Sequence, residues 1–151
     1  MAEELNVRAR LATGMRFDVE AGSGHSVSLD AKVSNGGSGE GFVPMEMLLV
    51  GLAGCTGMDV ISILRKKRED VTGYEVHVHG VRAETHPMFF TDIEVEHVVT
   101  GRHVNPASVA RAIELSETTY CGAGATLSKT ARLKHTFRII EAEEAPVAAG
   151  D

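Results

Sequence analysis

Residues 44–68 constrain the fold of this chain more than any other segment. Pro44 stands where a first helical position wants it, and Glu46 falls in the first turn. The run ends in Arg65-Lys66-Lys67-Arg68, cations suited to a helix C-terminus. Between these ends the chain is apolar as far as Leu64, so the spacing predicts a helix of about 25 residues. A helix apolar nearly all round for four turns belongs in the middle of something. Its near-uncharged part, residues 47–58, carries three glycines and is short of the ~20 residues a bilayer requires. It reads as a buried helix.

The rest of the chain supplies sheet to cover it. Residues 5–11 alternate, with Leu5, Val7, Ala9 and Leu11 on one face and Asn6, Arg8 and Arg10 on the other. Thr13-Gly14 signals a turn, after which Met15, Phe17 and Val19 alternate with Arg16, Asp18 and Glu20. Residues 21–24 make a second turn, and Val27, Leu29 and Ala31 continue the pattern in a third strand. The glycine-rich residues 34–41 read as a flexible connection with no side chains fit for a core. Residues 73–83 and 91–100 form two more strands, and Asn105-Pro106 opens a second helix running to about Tyr120. Residues 131–140 are a last strand, with Leu133, Phe137 and Ile139 on one face. The predicted order is βββ-α-ββ-α-β, an α+β domain with the long helix packed on antiparallel sheet. One domain occupies residues 1–141, and residues 142–151 lack the large apolar groups a packed segment needs and read as a loose tail.

Composition excludes several classes. With 15 Lys and Arg against 21 Asp and Glu the net charge is −6, so a nucleic-acid partner has no electrostatic footprint. The opening residues have neither a basic stretch nor an apolar one, so no signal peptide is expected. The expectation is a soluble, cytoplasmic protein without a membrane partner.

Two cysteines carry the chemistry. Cys55 lies in Gly51-Leu52-Ala53-Gly54-Cys55-Thr56-Gly57, where three glycines each cost roughly 1 kcal/mol against alanine in a helix interior. Tolerating them implies close approach of another backbone along that stripe, or room beside the thiol. Cys121 lies in Tyr120-Cys121-Gly122-Ala123-Gly124-Ala125-Thr126-Leu127, again among small residues. Two readings stand at this point. The thiols are buried and inert, as free cysteines often are, or they meet, which for a disulfide requires Cα atoms within about 7 Å.

Here the chain resembles a known family. Pro44-Met45-Glu46-Met47-Leu48-Leu49-Val50-Gly51-Leu52-Ala53-Gly54-Cys55-Thr56-Gly57-Met58-Asp59 looks like the first-cysteine helix of the OsmC/Ohr family, the osmotically inducible and organic hydroperoxide resistance proteins. Residues 120–127 resemble its second-cysteine loop, and the element order is similar over roughly residues 5–140. The resemblance implies an intertwined homodimer with two interface sites. It implies thiol-dependent reduction of hydroperoxides, preferably organic. In that scheme Cys55 attacks and becomes a sulfenic acid, Cys121 closes a Cys55–Cys121 disulfide, and an external thiol or dithiol restores both, with no cofactor. Arg16 matches the arginine that pairs with the thiolate in Ohr-type members. Those members hold it with a carboxylate directly after the helix-opening proline; this chain has Met45 there, and Glu46, one residue later, takes that place only if the helix start is rotated, its other reading being a first-turn acid that complements the helix N-terminus. Asp59, at i+4 from Cys55, is a further departure, because an anion on that face opposes thiolate formation unless a cation offsets it. The alternative is a non-catalytic redox-sensing or small-ligand-binding protein using the same pocket. A Cys-His hydrolase is disfavoured, since no histidine lies near either cysteine in sequence.

One other cluster has ligand-like spacing. If the strands at 73–83 and 91–100 pair, His77, His79, Glu94 and Glu96 share the outer face. An open sheet face offers no closed cage, so the expectation is a solvated, metal-free group. His25, His86, His97, His103 and His135 form no recognisable spacing and receive no role.

Overall fold

A computed structural model describes residues 1–143. The elements are β1 (Val7–Thr13), β2 (Arg16–Ala21), β3 (Ser26–Leu29), α1 (Pro44–Lys66), β4 (Asp70–Arg82), β5 (Phe90–Arg102), α2 (Pro106–Leu115), α3 (Gly122–Leu127) and β6 (Arg132–Glu141). The predicted α+β order βββ-α-ββ-α-β is recovered, with α3 as an addition. Chain contacts divide it into two compact units, residues 1–48 and 49–151, where the sequence reads as one domain; the boundary falls early in α1. Most of the expected tail at 142–151 lies outside the described residues.

In the first unit β1, β2 and β3 form an antiparallel meander, with Leu11 opposite Phe17 and Phe17 opposite Leu29. The glycine-rich segment after it is more ordered than its composition implies. Buried Asp30 accepts hydrogen bonds from the backbone N–H groups of Ala31 (2.7 Å), Ser38 (3.2 Å) and Glu40 (3.1 Å). These bonds, Glu40's foremost, hold the Asp30 carboxyl below its ordinary range. One side chain thus organises a loop that has no apolar residues of its own.

In the second unit the sheet order is β4-β5-β6. β4 and β5 run antiparallel, but β6 lies parallel to β5 rather than completing an antiparallel sheet. The physical reason is the connection. Parallel neighbours need a crossover of a dozen or more residues, and the segment carrying α2 and α3 provides it. Val60 and Leu64 of α1 are wholly buried with Val99 of β5 and with Val109, Ala112 and Ile113 of α2. Burying a side chain of this size contributes about 1.5–3 kcal/mol.

α1 is not buried all round. Its buried residues are Leu52, Thr56, Val60 and Leu64, a single i+4 stripe. By length and composition it could cross a membrane, contrary to the reading of its central part, but a core helix passes the same test. Leu48, Val50 and Met58 are exposed. Of the three glycines, only Gly57 has a close neighbour: a Cβ there would stand 3.4 Å from Val76 Cγ2, while Gly51 and Gly54 face open space.

Candidate functional site

About three turns into α1, Cys55 and Asp59 project from one helical face, as i and i+4 require. The second half of the site comes from the end of α2. That helix stops at Leu115, earlier than the sequence predicts, and residues Ser116–Tyr120 widen into a single π-helical turn. The wider turn delivers Ser116 and Cys121 toward α1. Cys121 then serves as the N-cap of α3, its Sγ accepting a hydrogen bond from the Gly124 N–H at 3.2 Å. The Cys55 Sγ, the Cys121 Sγ and a carboxylate oxygen of Asp59 all lie within 4.8 Å of one another.

The polar groups behind them form an ordered relay. The Ser116 hydroxyl donates to Asp59 Oδ2 at 2.9 Å, so the Thr56 hydroxyl, 2.9 Å from Ser116 Oγ, must donate to it. Thr56 and Ser116 are fully buried. Asp59 is therefore met by a hydroxyl; among the described residues it makes no ion pair with a cation. Cys121 is free, buried and neutral. Burial pushes its thiol up to about 11, with Cys55 and Asp59 adding to the effect and the Gly124 N–H opposing it. Cys55 is free and only half-buried.

A cavity of about 290 Å³ opens beside Cys121, walled by Glu117, Gly124, Leu133 and His135 among others. His135 ends a part-buried chain that sequence reasoning missed. Tyr74 Oη is hydrogen-bonded to His97 Nδ1 at 2.6 Å, and His97 Nε2 to His135 Nδ1 at 3.0 Å, with the direction of both bonds set by the His97 tautomer. Burial pushes Tyr74 up, with the Asp59 carboxylate adding to it; burial also pushes His97 down to about 4, helped by His135. His135 is lowered by burial as well, against the pull of Glu117. The available signal was period two. His97 continues the inward row Ile93, Val95, Val99, and His135 stands between Leu133 and Phe137.

The remaining predicted residues belong elsewhere. Arg16, on β2, donates from Nη1 to Glu40 Oε2 at 2.7 Å, and its Nε lies 3.4 Å from Asp18. Its acid partners are thus Glu40 of the glycine-rich loop and Asp18 of its own strand, and not Glu46, which is exposed and makes no ion pair among the described residues. The Asp30 bonds that fold the loop are what bring Glu40 there. His77 opposes Glu96 and His79 opposes Glu94 in the β4–β5 register, as the pairing argument requires. Both histidines and Glu94 are exposed; His77 also sits 3.0 Å from Glu75.

A mixed α+β unit with two cysteines facing each other between a long helix and a short one defines a thiol protein. The family profile for OsmC-like protein matches residues 37–136. The chain is 37% identical to protein YhfA of Escherichia coli strain K12 over 139 residues, 91% of this chain and 100% of YhfA. A crystal structure of a hypothetical protein from Aquifex aeolicus VF5 superposes with a TM-score of 0.83 at 29% identity, covering 94% and 100% of the two chains. The organic hydroperoxide resistance protein OsmC from Legionella pneumophila, at 14% identity, shares the fold with a TM-score of 0.69 over 91% and 98%. This chain belongs to the OsmC-like family.

Proposed function

We propose that the protein is a thiol-dependent peroxidase that reduces organic hydroperoxides through a Cys55 sulfenic acid and a Cys55–Cys121 disulfide. The observation that carries this reading is the pair of sulfurs, brought within 4.8 Å from residues 66 positions apart in sequence (121 − 55). The two thiols divide the work by their surroundings. Cys121, held neutral by burial, is a poor attacking group, which leaves Cys55 as the nucleophile. The Cys55 thiolate attacks the peroxide with uptake of one proton, giving the sulfenic acid and an alcohol. The Cys121 thiol then displaces water to form the disulfide, and an external thiol or dithiol takes it back to two thiols. The organic hydroperoxide resistance protein among the structural neighbours is consistent with peroxide chemistry on this fold.

As part of this reading Arg16 keeps the role the resemblance gives it, the cation that favours the Cys55 thiolate, with Glu40 as the acid that orients it. The working form is a homodimer in the cytoplasm. The exposed apolar groups of α1, Leu48, Val50 and Met58, together with the open space at Gly51 and Gly54, suit a second copy of the chain. A monomer by light scattering at micromolar concentration overturns the dimer.

A redox-sensing or ligand-binding role is the second reading, and Asp59 favours it, since an anion beside the thiols slows peroxide attack. Peroxide consumption measured across several reductants separates the two. Turnover far above free cysteine supports the peroxidase; one slow oxidation per reducing cycle supports the sensor.

A further inference from the structure

We propose that Cys55, Asp59 and Cys121 form a three-ligand site for zinc, which holds the two sulfurs reduced and is lost when they join. The donors are two thiols and a carboxylate within 4.8 Å of one another. A tetrahedral zinc with Zn–S near 2.3 Å and Zn–O near 2.1 Å sets its ligand atoms about 3.5–3.8 Å apart. The donors therefore need only contract slightly around the ion. Two thiolates with one carboxylate is a set that zinc accepts and that the hard cations magnesium and calcium do not.

The site is built beyond its ligands. Cys55 and Asp59 are fixed relative to each other by helical spacing, and Cys121 is fixed by capping α3. The Ser116 hydroxyl holds Asp59 Oδ2, and the buried Thr56 hydroxyl holds Ser116, the outer hydrogen bonding that orients a metal-ligating carboxylate. The Gly124 N–H supports Cys121 Sγ. This arrangement also gives the Asp59 anion a purpose beside the thiols. With zinc bound to both thiolates it completes a shell of net charge −1. Three protein ligands leave a fourth position for water. Asp59 also lines a second cavity, with Met58, Ser62, Lys66 and Lys67.

Zinc and the disulfide exclude each other. An organic hydroperoxide takes two electrons from the paired thiolates; with two protons taken up, the products are an alcohol, water, the Cys55–Cys121 disulfide and free Zn²⁺. The binding site stands on its geometry, and only this release step rests on the peroxidase reading.

The test uses the reduced full-length protein with zinc alone, then with cobalt as a spectroscopic probe. Zinc titration against a competing chelator dye is expected to give about one ion per chain, and cobalt should produce a thiolate charge-transfer band. Asp59→Asn should weaken zinc by about tenfold or more, and Cys121→Ser should abolish the charge-transfer band's two-thiolate intensity. Wild type with both thiols blocked by N-ethylmaleimide guards against misfolded variants and should bind no zinc. Adding an organic hydroperoxide to the loaded protein should release zinc in step with disulfide formation. The proposal is overturned if the reduced protein binds no zinc at micromolar concentration, or if the blocked protein binds it equally well. Peroxide turnover with no zinc bound sinks the metal site and leaves the peroxidase standing; zinc bound but retained under peroxide does the reverse.

Discussion

Cys55 stands about three turns inside a 23-residue helix, half-buried, while Cys121 caps a helix of six residues at the end of a π-helical turn and is buried. The same side chain has been given two settings. The long helix supplies rigidity, a neighbouring carboxylate and partial access. The short one supplies a backbone N–H and a dry environment that keeps its thiol protonated to about pH 11. What the contrast teaches is that role follows surroundings: a thiol that must attack needs access and ionisation, whereas one that must wait is better buried.

The largest effect that tests this contrast is all or none. Cys55→Ser should abolish reaction with organic hydroperoxide, because a hydroxyl near neutral pH is no comparable nucleophile. Cys121→Ser should still react once and stop at a Cys55 sulfenic acid, trapped by a dione reagent and seen by mass spectrometry. If both variants lose the first oxidation equally, the division of labour between the thiols is wrong.

Alkaline stability probes the Cys121 side by itself. Its thiol ionises near 9 when free and near 11 in the fold, so folding favours the neutral form. That stabilisation is whole below pH 9 and is lost as pH rises through the raised value. Urea unfolding of wild type against Cys121→Ser across that range should show the difference shrinking upward. A gap that stays constant with pH would mean that the buried thiol is not the titrating group.

Asp59→Asn sharpens the Cys55 side. Removing the anion should speed alkylation and peroxide attack by about threefold or more at neutral pH, in stopped-flow measurements on the metal-free protein. The Ser116 bond can persist to the amide oxygen, so stability should change little. A slower reaction would show that Asp59 helps the thiolate. Gly124→Ala is the smallest. A Cβ there meets Cys121 Sγ at 3.4 Å and Leu133 Cδ2 at 3.7 Å, ordinary contact, and alanine favours the helix. Thermal unfolding should shift by an equivalent of no more than about 1 kcal/mol; a larger loss would mean that the cap around Cys121 has no slack.

The sequence by itself determined the α+β order, the long helix at 44–66 and both cysteines, because periodicity and capping are local signals read over a few turns. It also fixed the outer-face register of His77 with Glu96 and His79 with Glu94, since pairing follows from alternation once two strands are neighbours. Tertiary structure decided the rest. The parallel placement of β6, the π-helical turn that brings Ser116 beside Asp59, and the Tyr74–His97–His135 chain join residues 23 to 57 positions apart. Glu40 rather than Glu46 holds Arg16 because a buried carboxylate, Asp30, folds the loop between them. A hydrogen bond of this kind depends on which backbones meet in space, and nothing in the spacing of residues along one strand or helix encodes the identity of the partner across the gap.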